Sequence, residues 1–165
     1  MRAKRITVRY TRECKAAPST VFALLRDSST YPAWSQIRGY AMERPGFHES
    51  HGVGEIRVFT SRLPITVREE IVEVIPNHSV AYILISGLPM REYRGKTTLD
   101  VLANGRTRIT WQSSFCGMYG TGWIMRLFMS WVLKNLTSSL ARAAESESFS
   151  PKPTSALHTK QSRGA

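Results

Sequence analysis

Residues 123–144 read Trp-Ile-Met-Arg-Leu-Phe-Met-Ser-Trp-Val-Leu-Lys-Asn-Leu-Thr-Ser-Ser-Leu-Ala-Arg-Ala-Ala, and the break Gly120-Thr121-Gly122 precedes them. With no Pro or Gly inside, the run is predicted to form one helix of roughly 33 Å at about 1.5 Å per residue. Ile124, Phe128, Trp131 and Asn135 fall on one side, and Leu136 and Leu140 continue an apolar stripe, with Arg126, Lys134 and Arg142 on the polar side. A helix patterned this way is expected to lie across a sheet.

The sheet is legible upstream. Ile6, Val8 and Tyr10 alternate with Thr7, Arg9 and Thr11, the period of a strand with one buried face. Pro18 then suits a first helical position, and Val21, Phe22, Leu24 and Leu25 give that short helix its apolar stripe. A second short helical turn is read at residues 29–34, with Pro32 near its start and Trp34 and Ile37 pointing inward. Six further strands follow, at residues 40–43, 54–61, 65–75, 80–86, 93–102 and 107–115. The turns between them are Pro45-Gly46, Leu63-Pro64, Pro76-Asn77, Gly87-Leu88-Pro89 and Asn104-Gly105. The last is read as a two-residue hairpin, because both residues tolerate positive φ. The predicted class is α+β: a seven-stranded curved antiparallel sheet, two short helices after the first strand and a long C-terminal helix.

At 165 residues and 42% hydrophobic, the chain suits one core. One domain is expected over residues 1–145. Residues 146–165, rich in Ser, Pro, Thr and Lys, are read as a disordered basic tail. Cys14 and Cys116 make no disulfide framework, so a reduced protein of the cytoplasm is expected. The basic N-terminus lacks the apolar block of a secretion signal. Arg126 and Lys134 interrupt the most apolar stretch, which is too short for the roughly 18–20 residues of a membrane span. The formal charge is +11, but the basic residues are dispersed over strands and tails with no nucleic-acid motif, so no specific nucleic-acid binding is expected.

The order of elements resembles the START-like superfamily, specifically the polyketide cyclase/dehydrase and lipid transport group often labelled SRPBCC. The residues carrying the likeness are Ala17-Pro18-Ser19-Thr20-Val21-Phe22, Asp27 followed by Tyr31-Pro32-Ala33-Trp34, residues 67–74 (Val-Arg-Glu-Glu-Ile-Val-Glu-Val), and residues 105–111 (Gly-Arg-Thr-Arg-Ile-Thr-Trp). The resemblance implies a helix-grip fold with a cavity between sheet and helix. Its members include cyclases, hydrolases, carriers and receptors, so fold does not decide function.

Such a hollow is a usual place for a mostly apolar site. Alternation assigns Ile109, Trp111, Ser113 and Phe115 to the concave face of the last strand. The expected lining is Trp34, Ile37, Phe59, Tyr82, Leu84, Trp111, Ser113, Phe115, Ile124, Phe128 and Trp131. Each of these large residues could equally be packing for its own sake. The leading reading is a carrier or sequestering module for an apolar small molecule or lipid, as a monomer or homodimer.

The alternative is a cyclase or dehydratase without cofactor, using a polar residue of the cavity, with His48, His51, Glu55, Glu69 and Glu92 as acid/base candidates and Arg68, Tyr93 or Arg94 to polarise the substrate oxygen. Surface pairing across strands accounts for the same charges at lower cost. A third reading is peripheral contact with an anionic membrane, with Met118, Tyr119, Trp123, Met125 and Met129 as a lid and the basic tails drawn to headgroups. His48, His51, Glu49 and Glu55 sit among Pro45, Gly46, Gly52 and Gly54, in a loop that does not present ligands on one face, so no metal is expected.

Overall fold

The computed structural model describes residues 4–61, 64–117 and 120–146. Leu63, the lid residues Met118 and Tyr119, and all of the expected tail except Ser146 lie outside the described residues. Strand β1 (Arg5–Cys14) leads through Ala16 and Ala17 into α1 (Pro18–Arg26), which buries Val21, Phe22, Leu24 and Leu25. Asp27 ends α1 by donating its N–H to the Ala23 carbonyl, and its side chain accepts from Ser29 N at 3.0 Å. That switch starts the 3-10 turn Ser28–Thr30 and then α2 (Tyr31–Trp34).

The remaining strands are β2 (Gly39–Arg44), β3 (Ile56–Thr60), β4 (Thr66–Ile75), β5 (Ser79–Ser86), β6 (Met90–Val101) and β7 (Thr107–Gly117). They join β1 in one seven-stranded sheet of order β1-β7-β6-β5-β4-β3-β2, antiparallel throughout. The short helices thus carry the chain from one edge strand to the other. Helix α3 (Gly122–Glu145) closes the concave face, packing mainly on β1 and β7.

Leu133 and Leu140 are fully buried on α3, together with Met129, Ala141 and Ala144. Each leucine contributes about 1.5–3 kcal/mol from burial. Leu140 is buried as expected and Phe128 and Leu136 pack against the core, but in the first half of α3 the fully inward positions are Met129 and Leu133. Ile124 and Trp131 are exposed, because the first half of α3 is apolar on nearly every face and its periodicity alone does not select the inner one.

Two local readings also change. At residues 102–106 only Gly105 takes positive φ; Asn104 instead accepts from Arg106 N at 3.1 Å, a local bond that favours a longer turn. Strand β6 starts three residues earlier than the pattern suggests, because Glu92, at φ 50°, is an extra residue between Arg91 and Arg94 in the ladder to β7. This bulge breaks the alternation and turns Tyr93 inward. Cys14 and Cys116 sit at opposite ends of the β1–β7 ladder and form no disulfide.

Candidate functional site

A cavity of about 320 Å³ lies between the concave face and α3. Gln36 and Ile37 after α2, Thr60 and Ser61 at the end of β3, and Ile65 and Leu88 are among the residues that line it. From α3 come Phe128, Met129, Trp131, Val132, Leu133, Asn135 and Leu136; from the sheet come Phe59, Val67, Glu69, Tyr82 and Tyr93.

Beneath the sheet side lies a buried ion pair. Arg57 and Glu69 face each other across β3 and β4, with Glu69 Oε2 accepting from Arg57 Nε at 3.0 Å and Nη2 at 2.9 Å. Arg57 Nη1 donates to the buried Ser28 hydroxyl at 3.2 Å. Three rings surround the guanidinium, with centroids 5.3 Å (Tyr31), 4.9 Å (Phe59) and 4.8 Å (Tyr82) from its carbon. Burial opposes the Arg57 charge, but Tyr31, Glu69 and Tyr82 outweigh it and hold the group protonated. Burial likewise pushes the Glu69 carboxyl up, and Arg57 draws it back.

Tyr82 reaches across a neighbouring strand. Its β6 partner is Gly95, where an added Cβ would meet the Tyr82 ring at 2.3 Å. The missing side chain lets the ring lie over β6, so that its oxygen accepts from Trp111 Nε1 on β7 at 2.9 Å. Tyr93, turned in by the bulge, bonds Ser113 at 2.8 Å and stacks on Phe115 at 6.3 Å. Desolvation pushes the Tyr93 phenol up to about 12 and Tyr82 well above the usual range, so both are neutral hydroxyls at ordinary pH.

Of the residues named from sequence, Ile37, Phe59, Tyr82, Phe128 and Trp131 line the cavity. Trp111, Ser113 and Phe115 lie behind Tyr82 and Tyr93 and hold them from below. Trp34 packs at 4.6 Å on Tyr31 and donates to Thr30; Leu84 packs against the core; Ile124 is exposed. Among the acid/base candidates, Glu69 lines the cavity. Glu92 pairs with Arg5 at the surface, and Arg94, one residue from the inward Tyr93, is exposed.

Sequence reasoning missed Arg57. Had the parity of Phe59 been carried back two positions, it would have placed Arg57 inward, and two more would have placed Glu55 inward; both are fully buried. Glu55 accepts from Tyr40 at 3.0 Å, and His51 lies between Glu55 (3.4 Å) and Asp27 (3.3 Å). The two carboxylates approach opposite nitrogens of the imidazole. No group of three His, Cys, Asp or Glu among the described residues is arranged to hold a metal ion.

The family model for polyketide cyclase / dehydrase and lipid transport matches residues 5–146. This chain belongs to that family. The match spans every element from β1 to α3, the same elements that enclose the cavity. A search of curated proteins finds no match. Among solved structures, a START superfamily protein from Mycobacterium smegmatis superposes with a TM-score of 0.73 at 14% identity, over 84% of this chain and 97% of that one. A norcoclaurine synthase point mutant from Thalictrum flavum, in complex with a transition-state analogue, gives 0.72 at 12%, over 87% and 96%. A protein from Nitrosospira multiformis gives 0.71 at 18%, over 87% and 99%. At these identities the likeness is one of fold, and family members can share the helix-grip architecture without sharing chemistry.

Proposed function

We propose that this family member binds an apolar small molecule or lipid between its sheet and α3, as a carrier or sequestering module of the cytoplasm. The observation that carries this reading is the 320 Å³ hollow walled mainly by Phe59, Val67, Phe128, Met129, Val132 and Leu136. Small-molecule sites span about 300–1,000 Å³, so this volume suits one ring system or one short chain. Titration with an apolar, environment-sensitive fluorophore tests it: saturable binding of one probe per chain is expected, and no binding contradicts it.

A cyclase or dehydratase reading rests on Glu69, the one acid/base candidate in the wall. Arg57 already holds that carboxylate in a two-bond ion pair, and no other carboxylate or imidazole is among the described lining residues to act as its acid/base partner, so the carrier reading is preferred.

The first half of α3 supports contact with an anionic membrane. Trp123, Leu127 and Trp131 repeat every four residues and are 65%, 62% and 54% exposed, with exposed Arg126 and Lys134 beside them. Trp131 also lines the cavity, so the exposed stripe and the ligand's path share a side chain. Among the described residues no helix is long and apolar enough to cross a membrane. The apolar stripe would enter the interface while basic residues gain about 1 kcal/mol each near anionic headgroups. Co-sedimentation with phosphatidylserine-containing vesicles should therefore exceed that with pure phosphatidylcholine vesicles and weaken with salt. Trp123→Ser/Leu127→Ser should lower it at least fivefold. Equal binding to both vesicles, or to neither, contradicts the contact.

A further inference from the structure

We propose that the ring of Tyr82 sets the length of the occupant: laid across Gly95 and tied to Trp111, it admits one ring or one short chain and excludes long acyl chains. This rests on the cavity reading and adds the size class of the ligand and the residue that fixes it.

The concave face is divided at Tyr82. On one side lies the hollow, lined by that ring together with Phe59, Tyr93, Phe128 and Met129. On the other side the interior is solid. Trp111 and Ile109 on β7 oppose Thr97 and Leu99 on β6; all four are buried, as is Leu140 of α3, and none of the five lines the cavity. Tyr82 joins the two regions, because its ring faces the hollow while its oxygen accepts from Trp111 Nε1 at 2.9 Å.

Three restraints hold the ring in place. Gly95 lies inside β6, where an added Cβ would stand 2.3 Å from Tyr82 Cζ and 2.6 Å from Cε2, so the bare backbone is what lets the ring lie over that strand. The Arg57 guanidinium carbon is 4.8 Å from the ring centroid, and the Tyr93 ring is 6.2 Å from it. The hydroxyl anchors the far end. Swinging it away would leave the buried indole N–H of Trp111 without its acceptor, a cost that a longer apolar ligand does not offset with any new hydrogen bond. Ligand length beyond Tyr82 is therefore left outside the hollow.

Straight-chain 1-alkanols from butanol to dodecanol, displacing the apolar fluorophore N-phenyl-1-naphthylamine from the full chain, read this limit directly. While each added methylene enters the hollow, affinity is expected to climb about fourfold per carbon, the effect of burying one CH₂ group. Once the chain reaches Tyr82, the climb should stop. Gly95→Ala, whose Cβ drives the ring into the hollow, should bring the break to a shorter alcohol, and Tyr82→Val should move it at least two carbons later. Tyr82→Phe keeps the ring and should keep the break. A wild-type climb that continues unbroken to dodecanol, or a break that stays in place in Tyr82→Val, overturns the proposal and leaves the cavity reading standing. Failure of every alcohol and of the fluorophore to bind overturns both. Tyr82→Leu repeats the comparison where Tyr82→Val does not fold, and the wild-type series needs no variant.

Discussion

Replacing Arg57 with Met is expected to lower the unfolding free energy by about 3–5 kcal/mol, the usual cost of removing one partner of a buried pair. The guanidinium is 1% exposed; without it, Glu69 loses both donors and the buried Ser28 hydroxyl loses its donor. The loss should depend on pH. Burial already holds the folded-state pKa of Glu69 above its usual value, and without Arg57's pull it rises further. A carboxyl whose folded pKa is raised destabilises the fold as it ionises, so the deficit is smallest below the unfolded pKa and grows as pH rises through the folded one. Combining Arg57→Met with Glu69→Leu should recover most of the loss, since an apolar pair of similar volume needs no counter-charge. Denaturant unfolding at pH 4 and pH 7 measures all of this; a single variant within about 1 kcal/mol of wild type at pH 7 would contradict the pair's role.

The second large effect is on binding. Val132 lines the cavity from α3 and is only partly buried, so Val132→Trp places its ring in space that no protein atom fills. Apolar fluorophore affinity should fall at least tenfold, while stability changes by less than about 1.5 kcal/mol because the hollow limits overpacking. Val132→Ala, which widens the cavity, should retain binding. If Val132→Trp binds the fluorophore as well as wild type does, the probe sits elsewhere.

The fold was open to sequence reading because its signals are local and repeated. Alternation in β1 and β7, Pro18 opening α1, and the unbroken run in α3 each agree with the final architecture. The site was less legible. Ile37, Phe59, Tyr82 and Phe128 follow from parity or helix spacing. Tyr93 does not, because its inward turn depends on a bulge at a non-glycine residue. Arg57 was passed over because a charged residue on a strand is ordinarily at the surface, and only the cross-strand register with Glu69 shows what balances its burial. The facing of α3 was hidden for the opposite reason: its first half is apolar almost all round, and the sheet it rests on decides which stripe goes inside.

Native mass spectrometry of the full chain, purified gently from its own host and followed by extraction and identification of any released compound, tests the central claim most directly. The account predicts a mass increment for one small apolar molecule per chain, released on denaturation. A chain at its bare mass that also takes up no apolar fluorophore would contradict the claim and make the cavity lining packing alone.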